Sequence, residues 1–173
     1  MSELPSTIFL VGFMASGKST VGPLLAVKFN CPFIDLDRLI EIESNCSIAE
    51  LITREGEDIF RQIEREALRK AVSGTPAVIA PGGGAITVAE NRQLMSQSGI
   101  AIWLDAPFEL CWERIQQDVS GRPLAPNEKA ARERYQNRLP LYQHATIRIT
   151  IRETQTPSEI VESIISRLEK DRN

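Results

Sequence analysis

The stretch Gly12-Phe13-Met14-Ala15-Ser16-Gly17-Lys18-Ser19-Thr20 constrains this chain more than any other. It contains a G-x-x-x-x-G-K-S motif. The apolar run Thr7-Ile8-Phe9-Leu10-Val11 precedes it, and a periodic segment with Val21, Leu24, Leu25 and Phe29 follows. Strand, glycine-rich turn and helix is the setting in which this motif becomes a P-loop. The turn aims successive backbone N–H groups into one concavity, and the helix N-terminus adds partial positive charge. Ala15, Ser16, Gly17, Lys18, Ser19 and Thr20 are therefore expected to bind a nucleoside triphosphate. Lys18 reaches the outer phosphates, and the Ser19 hydroxyl is placed to ligate Mg²⁺, a hard cation that prefers oxygen.

A chain of 173 residues favours a single domain. Its formal charge of −3 gives no general attraction to nucleic acid or to an anionic membrane. Cys31, Cys46 and Cys111 are scattered and show no metal spacing, which suits reduced cysteines in a cytoplasmic protein. The apolar run before Gly12 is too short for a membrane span and lacks the basic start of a signal peptide, so it reads as a core strand.

Cys31 to Asp37 reads as a strand ending in Asp35 and Asp37, which would point the same way in extended chain. Pro23 falls inside the first helix and should bend it locally. Arg38 to Glu43 reads as a short helix. Ser47 and Glu50 form a capping box opening one long helical segment to about Ala71. Pro76 to Ala80 is a buried strand running into Pro81-Gly82-Gly83-Gly84. Thr87 caps a helix to about Gln97, Ile100–Leu104 is a strand ending at Asp105, and Pro107 occupies the first position of the next helix. Residues 118–127 read as a polar, turn-rich loop. A helix over Glu128–Leu139, a strand over Thr146–Ile151 and a final helix capped by Thr156 and Glu159 complete the chain. Alternating strands and helices predict a parallel α/β sheet. Ligands in such sheets bind beyond the carboxyl ends of the strands, so the P-loop, Asp35, Asp37, Gly82–Gly84 and Asp105 should face one crevice.

The P-loop, Phe33-Ile34-Asp35-Leu36-Asp37, Phe60-Arg61-x-x-Glu64, Gly82-Gly83-Gly84, Gly121-Arg122-Pro123-Leu124 and Arg134-x-x-x-Arg138-x-x-Leu141-Tyr142 stand in an order and spacing that resemble shikimate kinases from about residue 7 to 169. The resemblance implies a nucleoside-monophosphate-kinase-like fold with a five-stranded parallel sheet, a substrate-binding helical region at about 38–71 and a lid at 118–127. It implies transfer of the ATP γ-phosphate to the 3-hydroxyl of shikimate, in the pathway to chorismate and the aromatic amino acids. Lys18, Asp37 and Arg122 would be catalytic, with Arg122 as the lid arginine. Asp35 would hold a Mg²⁺-bound water, and Arg114 would flank the adenine. Arg61 and Arg138 would clamp the shikimate carboxylate, a task the planar guanidinium suits. Arg134 is the competing, less favoured candidate in that helix. Gly82, Gly83 and Gly84 would let backbone approach the substrate. The expected protein is a cytoplasmic monomer acting on ATP and shikimate.

Three features depart from the family pattern. Pro81 and Ala80 replace small polar residues, and Ala15 replaces a glycine, which is harmless only at negative φ. Competing readings are another small-molecule P-loop kinase, acting on gluconate or a nucleotide, and a nucleotide-dependent switch. A guanine-reading N-K-x-D sequence is absent, and a switch leaves the acceptor motifs unexplained.

Overall fold

The apolar run Thr7–Val11 forms strand β1, buried along its whole length. A continuous apolar strand of this kind belongs in the middle of a parallel sheet covered on both faces. The computed structural model places it there and describes residues 4, 6–117 and 127–171. Strands β2 (Phe33–Asp35), β3 (Val78–Ala80), β4 (Gly99–Asp105) and β5 (Ile147–Thr150) complete a five-stranded sheet of order β2-β3-β1-β4-β5. Every pairing is parallel. Residues Val11 and Trp103 stand opposite each other, as do Asp35 and Ala80. The carboxyl ends of β1, β2 and β3 thus reach one edge together.

Helices connect the strands: α1 (Lys18–Phe29), α2 (Leu36–Ser44), α3 (Ile48–Glu55), α4 (Glu57–Val72), α5 (Ala89–Ser98), α6 (Phe108–Gln117), α7 (Glu128–Tyr142) and α8 (Pro157–Lys170). The Ser47–Glu50 and Thr156–Glu159 capping boxes both form, with Pro157 opening α8. Helix α1 continues through Pro23, and α7 continues through Pro140 to Tyr142.

Local chemistry corrects several expectations. The long segment after Ser47 is two helices, broken at Gly56 with φ 89°. That conformation favours glycine and cannot continue an α-helix. Thr87 does not cap α5. Its hydroxyl donates to the Gly84 carbonyl at 2.7 Å within a short 3-10 turn, Ala85–Thr87, and Val88 takes the cap position. Helix α6 begins at Phe108, one residue after Pro107, whose carbonyl accepts from the Cys111 amide. Strand β2 ends at Asp35, so Asp37 lies in the first turn of α2. The expected lid lies outside the described residues, apart from Asn127, which caps α7 through its side chain. Among the described residues no helix is long and apolar enough to cross a membrane.

Candidate active site

Where β1 ends, the chain turns through the P-loop into α1. Gly17 occupies the cap position without a side chain, so among the described residues no side chain caps the first amides of α1. A helix N-terminus in this condition is an anion site. Lys18 Nζ donates to the Gly12 carbonyl at 3.0 Å and to the Phe13 carbonyl at 2.9 Å. The ammonium is folded over the loop it would share with phosphates.

The loop lines a cavity of about 410 Å³ together with Asp35, Asp37, Ala80, Pro81, Gly83 and Arg114. Asp35 caps α2 by accepting from the Arg38 amide at 3.3 Å, and its other oxygen accepts from the Ser19 hydroxyl at 2.6 Å. Two hard oxygen donors therefore meet at the end of the P-loop. This donor set fits Mg²⁺, which takes one or two carboxylates and fills its remaining positions with phosphate oxygens and water. Ala80 stands beside Asp35 in the sheet and offers no hydroxyl to such a shell. Asp37 faces the same cavity because it sits in the first turn of α2, not through strand alternation.

Arg114 donates to the Ala15 carbonyl at 3.1 Å, and Ala15 has φ 59°. The alanine is thus in the left-handed region, contrary to the condition under which it would be harmless. Gln155, Pro157 and Ile160 complete the cavity from the start of α8. Nothing in the sequence motifs marks these three residues as part of the site.

A second cavity of about 410 Å³ is lined by Glu57, Arg61, Thr87, Ala130, Glu133, Arg134, Asn137 and Arg138. Arg138 is 4% exposed. Burial lowers its pKa, with the neighbouring Arg134 and Arg61 guanidinia acting in the same direction. Arg61 pairs with Glu57 at 3.0 Å and with Glu64 at 2.8 Å. The plain helix-surface pair with Glu57 is present, but so is a contact into the interior. Glu64 is fully buried, and its Oε1 has no hydrogen-bond partner among the described residues. Burial raises its pKa, with Arg61 opposing. The motif that flagged Arg61 contains Glu64, yet nothing in the sequence marked that carboxylate as buried.

The glycine turn lies against residues of both cavities. A Cβ at Gly82 would stand 2.5 Å from Asp37 Oδ1 and 2.8 Å from Glu64 Oε1, and one at Gly84 would stand 2.6 Å from Arg61 Nη2. Only glycine lets these charged groups close on the backbone. Gly83 lines the P-loop cavity, and its missing Cβ would lie 3.4 Å from the Met14 amide and 3.5 Å from Arg138 Nη1. The Tyr142 hydroxyl fixes the turn by donating to the Gly83 carbonyl at 2.9 Å, and the Tyr142 ring stacks on Trp103 of β4. Asp105 does not join the crevice. Arg148 holds its carboxylate at 2.6 Å. Arg122 lies outside the described residues.

A P-loop at the carboxyl edge of a parallel sheet, opening beside carboxylates and a guanidinium-lined chamber, defines a P-loop phosphotransferase acting on a small molecule. The comparisons with known proteins make the class specific. A family profile described as shikimate kinase matches residues 14–169. The chain is 39% identical to a shikimate kinase from Synechococcus sp. (strain JA-3-3Ab) over 161 residues, covering 91% of this chain and 85% of that protein. A shikimate kinase from Acinetobacter baumannii, solved in complex with shikimate, superposes with a TM-score of 0.90 at 35% identity over 98% of this chain and 96% of the other. A gluconokinase from Sinorhizobium meliloti 1021 shares the fold alone, with a TM-score of 0.61 at 16% identity over 98% and 96% of the two chains. This chain belongs to the shikimate kinase family.

Proposed function

We propose that this chain transfers the γ-phosphate of ATP to the 3-hydroxyl of shikimate, giving shikimate 3-phosphate and ADP on the route to chorismate and the aromatic amino acids. The observation that carries the reading is the place of Gly83, which lines the cavity of the P-loop and carboxylates while its missing Cβ would lie 3.5 Å from Arg138 Nη1 of the arginine-lined cavity. Phosphoryl transfer through a loose transition state asks mainly for positioning and charge stabilisation.

In this reading the P-loop amides and Lys18 hold the phosphates, with Lys18 exchanging the Gly12 and Phe13 carbonyls for phosphate oxygens. Arg114, with Gln155 and Pro157, borders the base. Arg138 and Arg61 take the shikimate carboxylate, and Gly82–Gly84 lie along the ring. Asp37 orients the attacking hydroxyl and accepts its proton as the oxygen bonds to phosphorus and ADP departs. Ser19 directly and Asp35 through water would hold Mg²⁺, which when bound supplies positive charge to the phosphate oxygens. Arg122 is assigned its catalytic role from the family motif. Helices over residues 38–71 form the acceptor side of a single domain. A cytoplasmic monomer without nucleic-acid or membrane partners belongs to the same proposal, supported by the net charge of −3 and by three free cysteines.

The test is coupled ADP release with ATP and Mg²⁺, with and without shikimate, alongside gluconate and nucleoside monophosphates. Turnover dependent on shikimate is expected. Turnover with gluconate or a nucleotide instead would move the assignment to another acceptor. ATP hydrolysis indifferent to every acceptor would favour a switch.

A further inference from the structure

The lining of the second cavity holds three arginines, Arg61, Arg134 and Arg138, against two glutamates, Glu57 and Glu133. Arg61 is engaged by Glu57 and Glu64. Among the described residues, neither Arg134 nor Arg138 forms an ion pair with a carboxylate. Both line the cavity, and they lie four residues apart on α7, hence on one face of the helix. Arg138 is buried and Arg134 half-buried, so the pair runs from the floor of the cavity towards its mouth. Clustered guanidinia repel one another, and an anion between them relieves the repulsion.

Resting on the shikimate kinase reading above, we infer that Arg134 is a specificity-determining residue, the outer cation of the acceptor site, which draws the acceptor carboxylate to the cavity mouth and shares it with Arg138. Arg61 is poorly suited to be the first contact, because an incoming carboxylate competes there with two glutamates. Among the described residues Arg134 makes no such ion pair, although Glu133 lines the same cavity. As a half-exposed charge it contributes less than a buried one, and its contribution is screened by salt. Its role is electrostatic, so a lysine retains most of it.

The experiment is direct titration of the full chain with shikimate and with its neutral carboxamide analogue, at low and high salt, for wild type, Arg134→Gln, Arg134→Lys and Arg69→Gln. Arg69 lies on an exposed part of α4 outside both cavities and controls for net charge. Arg134→Gln is expected to weaken shikimate binding about threefold to tenfold. It should leave carboxamide binding unchanged and flatten the salt dependence. Arg134→Lys should stay within about threefold of wild type, and Arg69→Gln should match it. Unchanged shikimate affinity in Arg134→Gln overturns the inference. So does an equal loss for the carboxamide, which would mark a structural role. Failure of the wild type to bind shikimate at all would instead overturn the assignment of the acceptor.

Discussion

The Arg114 guanidinium donates to the carbonyl of Ala15, ninety-nine residues earlier in the chain, at 3.1 Å. It braces the one P-loop residue that adopts a left-handed conformation without being glycine, at φ 59°. Such a conformation costs an alanine roughly 1–2 kcal/mol. Ala15→Gly removes that cost, while the freer unfolded chain takes back about 0.4–1 kcal/mol. A net gain of about 0.5–1 kcal/mol is expected in urea unfolding. A loss of stability would show that the Ala15 methyl packs favourably enough to offset its backbone.

Lys18→Met should lower turnover by on the order of 10²-fold to 10³-fold, the usual consequence of deleting one electrostatic group aimed at transferring charge. The Gly12 and Phe13 carbonyls it reaches belong to its own loop, and the fold is expected to survive the change, so the thermal midpoint should move little. Steady-state rates and a circular dichroism melt on the same preparation check both halves. Retained activity would remove the P-loop from the reaction.

Arg61 and Arg138 line one cavity but should respond differently to truncation. Arg138→Ala should raise the shikimate KM strongly, since a charged hydrogen-bonded pair is worth about 1.5–3 kcal/mol. Arg61→Ala should additionally cost about 1–3 kcal/mol of stability, because it strips the buried Glu64 of its partner. Kinetics and denaturant midpoints for both variants decide the matter, and equal stability losses would contradict the pairing described.

Glu64 gives the fold a pH signature. Burial raises its pKa above the ordinary 4.5, so the folded chain holds this proton more tightly than the unfolded chain does. Its contribution therefore favours folding at low pH and is lost as pH rises from 4.5 through the raised value. Glu64→Gln cannot ionise, so its stability relative to wild type should improve between pH 5 and pH 7.5. If wild type gains on the variant across that range, the field of Arg61 outweighs burial and Glu64 is charged.

The sheet and the P-loop were legible because they depend on local patterns, namely apolar runs between turn residues and one motif of fixed spacing. Capping boxes were legible for the same reason. What escaped depends on geometry between distant segments. Asp35 and Asp37 do line one cavity, but through a helix start that no period-two argument contains. Gly56 looked tolerable within a helical pattern until its φ was known. The burial of Glu64 and the role of Tyr142 follow from how α4 and α7 close on the glycine turn. Arg134 is the less favoured candidate beside Arg138 by motif, and its lack of a carboxylate ion pair among the described residues is a fact of packing that no motif carries.

The first helix of this chain packs beside the last, joined by a Lys28–Glu162 ion pair at 2.8 Å, and Pro157 and Ile160 border the cavity that the P-loop opens. Synthesis runs from the other end. A chain emerging from the ribosome thus displays its phosphate loop early, yet lacks one wall of the nucleotide cleft until residue 160 has left the exit tunnel. The phosphate loop and the wall that faces it thus come from segments about 140 residues apart, and the cleft is complete only when both have been made.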